Sequence, residues 1–141
     1  MISIEQIAPE NTWRLRRDVL YPDKKVFEME MDEDTGGTHF GAFNEVKLVG
    51  VVSLFQDAAD FQFRKLAVEL SLQKTGVGSS LLKYITEYAQ ENGGSRIWCN
   101  ARVIATGFYL KAGFNQTGRL FSKNGHDYEV MEKAIVPVSR P

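Results

Sequence analysis

The sequence predicts an α+β fold built on a mixed sheet, and three observations carry that expectation. Short segments of alternating or continuous apolar residues, bounded by turn residues, recur along the chain and read as strands. Between them lie segments with apolar residues at helical spacing, the clearest being Leu81, Leu82, Ile85, Tyr88 and Ala89. No internal repeat, linker or low-complexity tract interrupts the 141 residues, so 1–141 is expected to form one domain.

Taken in order, Ile2, Ile4 and Ile7 suit a short half-buried strand that ends before Pro9. From Asn11 the spacing turns helical, with Trp13, Arg17 and Leu20 on one side, Asn11 or Thr12 as N-cap and Pro22 as the stop. Lys24 to Met31 is weakly helical, its apolar face being Val26, Phe27 and Met31, and residues 32–37 form a turn. Thr38 to Asn44 and Lys47 to Phe55 make a hairpin. The next strand, Phe61 to Leu70, breaks phase: Phe61 and Phe63 are apolar at odd positions, whereas Leu66, Val68 and Leu70 are apolar at even ones. A β-bulge near Arg64–Lys65 would reconcile the two halves, and an ordinary bend between two short strands is the alternative. The long helix then ends at Asn92-Gly93-Gly94, whose residues tolerate a left-handed backbone. Arg96 to Asn100 is a buried strand, Val103 to Ala112 a helix closed by Gly113, and Phe114 to Phe121 with Tyr128 to Ile135 a final strand pair. The order is approximately βα(α)ββββαβαββ, depending on how the last strands are counted.

Composition narrows the function. Seventeen Lys and Arg against eighteen Asp and Glu give a formal net charge of −1, without the basic excess of a chain that wraps nucleic acid. A single cysteine, Cys99, forbids an intrachain disulfide and a cysteine-built zinc site, and no metal is expected. The longest apolar run, Leu48 to Phe55, is far shorter than the roughly 20 residues a membrane helix needs. The opening MISIEQIAPE lacks the basic and apolar regions of a signal peptide, so a cytoplasmic protein is expected.

The segment Gln73-Lys74-Thr75-Gly76-Val77-Gly78-Ser79-Ser80 lies between a strand and the long helix. Glycines let successive N–H groups turn into one concavity, and a helix N-terminus adds unpaired donors and partial positive charge, which together suit an anion. A nucleoside-triphosphate loop would place Lys and then Ser or Thr after its glycines, whereas Lys74 and Thr75 precede Gly76. A dinucleotide fingerprint would need a third glycine at Leu81. Leu66-Ala67-Val68 followed by Gln73-x-x-Gly76-x-Gly78 and an amphipathic helix resembles the cofactor motif of the GNAT superfamily of N-acetyltransferases. About thirty residues on, Ala105-x-x-Phe108-Tyr109-x-Lys111-x-Gly113-Phe114 resembles that superfamily's second motif.

The resemblance implies a three-layer fold, with helices on both faces of a mixed, mostly antiparallel sheet splayed in the middle. It implies acetyl-CoA, or another short acyl-CoA, as co-substrate. The pyrophosphate would rest on the amides of Gln73, Lys74, Thr75, Gly76, Val77, Gly78 and Ser79. The pantetheine arm would run beside Leu66, Ala67 and Val68. Asn100 is placed either to bond the pantetheine amides or simply to end its strand. Tyr109 matches the family's tyrosine, whose phenol hydrogen-bonds or protonates the departing sulfur. An ordinary thiol pKa of about 8.5 against about 10 for phenol makes that transfer slightly uphill and locally feasible. Packing in the helix face is the plainer role for Tyr109.

No general base is assigned. The position where some relatives carry a glutamate is Gln62, a side chain that cannot usefully accept a proton. Asp57, Asp60, Glu28, Glu30, His39, His126 and water remain, with His39 expected to be a bonded structural histidine and His126 exposed. Arg102 departs from the asparagine of many relatives; it either meets an acidic group or is solvated at the helix start. Arg14, Arg16 and Arg17 fall where relatives line the acceptor pocket, and one of them at most can face substrate, Arg16 and Arg17 being the choices retained. Cys99, beside Ile97 and Trp98 and without a histidine partner, reads as a packed core thiol. The expected activity is acetyl transfer to a small amine. Acetylation of a protein lysine or N-terminus, and a non-catalytic acyl-CoA sensor, are the competing readings. A homodimer is expected from the family, with little support in the sequence beyond Ala134-Ile135-Val136.

Overall fold

The computed structural model of the protein describes residues 1–139. Its seven strands are β1 (Ile2–Ile7), β2 (Thr38–Asn44), β3 (Lys47–Asp57), β4 (Asp60–Val68), β5 (Arg96–Arg102), β6 (Asn115–Lys123) and β7 (His126–Ala134), in the order β1-β2-β3-β4-β5-β7-β6. Three α-helices, α1 (Trp13–Leu15), α2 (Val77–Glu91) and α3 (Thr106–Lys111), complete an α+β chain. The central run holds three strands rather than four, because β4 continues through its irregular residues. The chain packs as two compact units: Met1–Phe55 with Phe63–Ile85, and Gln56–Gln62 with Thr86 onward.

In the first unit, β1 pairs antiparallel with β2, and β2 with β3. Val49 to Leu54 are buried without a break, because both faces of β3 are covered. Odd-numbered Val51 meets Leu15 and Ala67 in one apolar cluster. Even-numbered Gly50 lies under α2, where a Cβ would stand 3.0 Å from both Val77 and Leu81, so only glycine lets the helix sit this close. The helical segment after β1 is less regular than its spacing suggests. A 3₁₀ turn, Pro9–Thr12, leads into α1, and a π turn, Arg16–Leu20, follows. This winding buries Thr12, Leu15 and Arg16 and leaves Trp13, Arg17 and Leu20 half-buried, which corrects the expected face. The weak helix is a 3₁₀ turn, Val26–Met29, whose buried residue is Met29, while Val26 and Phe27 are exposed.

The phase break in β4 is confirmed by the backbone. Lys65 has φ 58, the left-handed region that non-glycine residues seldom enter. Beyond it the buried residues are Ala67 and Val68, Leu66 is half-buried and Leu70 has left the strand for an exposed turn.

In the second unit, β4 pairs in parallel with β5 over three residues, Asp60–Gln62 with Arg96–Trp98. β5 also pairs antiparallel with β7, and β7 with β6. The β6–β7 turn is Asn124-Gly125, both at positive φ, as a tight hairpin requires. Both main helices end in the same device. Gly93 takes φ 85 and the Gly94 N–H reaches the Ala89 carbonyl; Gly113 takes φ 90 and the Phe114 N–H reaches the Tyr109 carbonyl. These six-to-one bonds satisfy carbonyls that a helix end leaves open.

Candidate active site

The glycine loop approaches α2 through two left-handed residues, Lys74 at φ 65 and Gly76 at φ 99. The first bond internal to the helix runs from the Ser80 N–H to the Gly76 carbonyl. The amides of Val77, Gly78 and Ser79 therefore precede the helix's own bonding and are presented at its positive end. No atom lies within 4 Å of a Cβ built on Gly76, so the loop is open on that side. The side chains divide from the amides. Val77 is core, 4% exposed. Gln73 donates through Nε2 to the Val68 carbonyl at 3.1 Å, and Thr75 donates through its hydroxyl to the Leu72 carbonyl. Both fasten the loop, leaving backbone N–H groups with exposed Lys74 and Ser79 on its open side. Leu66, Ala67 and Val68 follow the left-handed Lys65 in β4, with Ala67 1% exposed.

The same unit holds a buried polar group that the sequence did not announce. The Arg16 guanidinium forms a two-pronged pair with Asp34, both bonds 3.0 Å, and also donates to Ser53 Oγ at 2.8 Å and to the Met29 carbonyl at 3.0 Å. Ser53 Oγ is 2.7 Å from His39 Nδ1, and His39 Nε2 is 2.8 Å from the Asp34 carbonyl oxygen. Burial on its own would raise the Asp34 carboxyl; the Arg16 bonds, the Met31 N–H and the charges of Arg16 and His39 outweigh it and hold the group below its ordinary range. His39 is thus the bonded structural histidine expected of it. Arg16 is 1% exposed, and its guanidinium is bonded to Asp34, Ser53 and the Met29 carbonyl. Arg17, half-buried, binds its neighbour Asp18 at 2.6 Å. No spacing rule links Arg16 to Asp34 across eighteen residues, so only the folded chain reveals the pair.

A cavity of about 450 Å³ opens beside this group. Arg16, Met29 and Met31 line it together with Tyr21, Lys24, Glu28, Glu33, Arg64 and Lys65. The volume is that of a small-molecule site. The phase break at Arg64–Lys65 was the sequence signal that could have found it.

In the second unit, Tyr109 lies in the last turn of α3. Its ring meets Phe108 at 5.1 Å and Phe114 at 6.0 Å, both edge-on, while its carbonyl accepts the Phe114 N–H at 3.0 Å. Backbone and ring are fixed at once. Burial, and secondarily Cys99, push the phenol well above its usual value, so Tyr109 keeps its proton. Burial pushes the Cys99 thiol up to about 12, which suits a packed thiol and not a nucleophile. Asn100 is exposed in β5, Arg102 ends that strand half-buried, and Gln62 is half-buried in β4. Exposed His126 opens β7. Among the described residues, no three His, Cys, Asp or Glu side chains gather as a metal site, and no helix is long and apolar enough to cross a membrane.

Known proteins fit this arrangement. Residues 7–135 match the family model of the acetyltransferase (GNAT) domain, so the chain belongs to the GNAT family and is an N-acetyltransferase. An uncharacterised N-acetyltransferase of Bacillus subtilis (strain 168), YitI, is 28% identical over 96% of this chain and 97% of its own length. Two solved structures share the fold at a TM-score of 0.79: the ribosomal-protein-S18-alanine N-acetyltransferase of Escherichia coli and an aminoglycoside 6'-N-acetyltransferase complexed with coenzyme A. The first is 15% identical, covering 99% of this chain and 97% of its own; the second is 17% identical, covering 98% and 99%.

Proposed function

We propose that the protein transfers the acetyl group of acetyl-CoA to the amine of a small molecule by direct attack, with residues 1–141 as one catalytic domain. The observation that carries this reading is the loop of residues 73–79, whose amides open at the start of α2 and whose Gly76 leaves room for a phosphate. In the reading, the amides of residues 73–79 hold the pyrophosphate, and Leu66 to Val68 offer backbone groups to the pantetheine arm. Asn100 bonds that arm's amides, and Arg102 takes an acidic group of cofactor or acceptor. The amine nitrogen attacks the thioester carbon, the carbon–sulfur bond breaks, and Tyr109 O–H donates to the sulfur. The amine's own proton leaves to water, which returns one to Tyr109, since no side chain is assigned as base. A small acceptor is favoured over a protein by the 450 Å³ cavity, which suits a molecule of limited size.

The test is release of free thiol from acetyl-CoA against a panel of small amines, with Gly76→Asp as the variant. An aspartate at φ 99 adds strain and a negative charge where the phosphates approach. Acetyl-CoA affinity should collapse while the fold, followed by circular dichroism, persists. A folded variant with unchanged affinity would remove the phosphate role from this loop. The same reading includes a cytoplasmic enzyme that pairs as a homodimer. Exposed Leu120 and Phe121 on β6, the last strand in the sheet order, support pairing there. Sedimentation showing only monomer at tens of micromolar protein would retire the dimer.

A further inference from the structure

The cavity's charges are sorted, and the sorting describes the acceptor. Four cations and two carboxylates line it. Arg16 is matched by Asp34 behind it, and Arg64 by Glu33 at 2.6 Å. That leaves Lys24 and Lys65 against Glu28, whose Oε2 accepts the Lys25 N–H at 2.9 Å. The cavity therefore carries one surplus positive charge, with both signs present. Lys65 is the more deliberate of the two cations. It is held at φ 58, a conformation that costs an L-residue energy and is retained where the surroundings enforce it. Its ammonium donates to the Tyr21 hydroxyl and stands 4.6 Å from the centre of that ring. An ammonium has three protons, so two remain for a ligand.

We infer that the acceptor is an amine that also bears a carboxylate, with the carboxylate bound by Lys65 beside Tyr21 and aided by Lys24, and the amine facing Glu28. With the amine neutral, as nucleophilic attack requires, one surplus charge matches a single carboxylate, whereas a phosphate dianion would exceed it. This inference rests on the acetyl-transfer reading above and names the substrate class for it.

Two measurements test it, and they fail separately. Thiol release is compared for amino acids and for their carboxamides, which keep the amine and remove the negative charge. Direct binding of the same pairs to the CoA-loaded protein is followed by calorimetry, which needs no turnover. Charge-assisted hydrogen bonds of this kind are worth about tenfold to a hundredfold in binding. The acids should exceed their amides by that factor in kcat/KM and in affinity. Lys65→Met should erase the difference. Lys65→Gly, which suits φ 58 and so protects the fold, should erase it as well, and Lys24→Met should reduce it in part. Acids and amides that bind equally overturn the inference even if turnover is brisk. Tighter binding of phosphoethanolamine than of the amino acids overturns the choice of carboxylate. Absence of thiol release with any amine, alongside a clear preference for acids in binding, would instead count against acetyl transfer and leave the carboxylate site standing.

Discussion

The two units bury ionisable groups by opposite means. In the first, Arg16 and Asp34 are 1% and 4% exposed and still charged, because each is the other's partner and Ser53, Met29 and Met31 supply further bonds. In the second, buried Cys99 and half-buried Tyr109 are shifted chiefly by desolvation, and both stay neutral with raised pKa values. A buried group keeps its charge only where partners replace the water it lost; otherwise it keeps its proton. The guanidinium beside the cavity is paired, whereas the Tyr109 phenol and the Cys99 thiol hold their protons more firmly than in water.

Breaking the pair should produce the largest effect. Asp34→Asn strips the counter-charge and leaves the Arg16 guanidinium buried, a change that costs about 3–5 kcal/mol where measured in other proteins. Urea unfolding of the variant should show a loss of that size. A double variant, Arg16→Met with Asp34→Leu, should recover much of it, since the charge to be solvated has gone. A loss under about 1 kcal/mol for Asp34→Asn would mean that water reaches Arg16. The acid limb follows from the sign of the shift. Asp34 is held below its ordinary value, so its contribution is present above the ordinary carboxylate range and is lost as pH falls through the folded value.

Next in size is Tyr109→Phe. The contacts with Phe108 and Phe114 belong to the ring and the bond from Phe114 to the backbone, so all three survive the substitution. Acetyl-CoA affinity should hardly move. General-acid help is typically worth about 10²–10⁴ in rate, and turnover should fall within that range. Acyl donors with a more acidic leaving thiol should suffer less. Wild-type turnover with acetyl-CoA would make Tyr109 a packing residue and water the proton source.

Local devices were legible in the sequence; long-range polar pairing was not. The loop at Gly76, the Gly93 and Gly113 helix ends and the irregularity at Lys65 each follow from a residue's own backbone limits or from a change of period over a few positions. Arg16 and Asp34 meet because β2, β3 and two irregular turns bring residues 16, 34, 39 and 53 to one place, and no period marks that. The helix face was misread for a related reason. The buried residues Thr12, Leu15 and Arg16 do keep helical spacing, but one position away from the apolar face of Trp13, Arg17 and Leu20, because a polar threonine and a paired arginine are the ones turned inward. The phase break marked the Arg64–Lys65 part of the cavity, but the rest of its lining comes from separate segments with no shared motif.

The smallest effect expected is at Cys99, and it completes the contrast between the units. Cys99 is 3% exposed, and its thiol is pushed up to about 12 by burial alone. An unfolded thiol titrates near 8.5, so the folded state holds this proton more firmly than the unfolded state does. Stability from this source is therefore whole below that ordinary value and is lost as pH rises through the folded one, the reverse of the Asp34 limb. Cys99→Ala removes a small apolar side chain and should cost about 1 kcal/mol at neutral pH, the scale of one or two buried methylenes. It should also flatten the alkaline fall in stability above pH 9. Turnover should stay within about twofold of wild type, because burial, not Cys99, is the main cause of the Tyr109 shift and no step passes through the thiol. Urea midpoints collected from pH 7 to 10.5 for both proteins supply the check. Parallel curves would show that the thiol is open to water, and a collapse of turnover would give Cys99 a part in the chemistry.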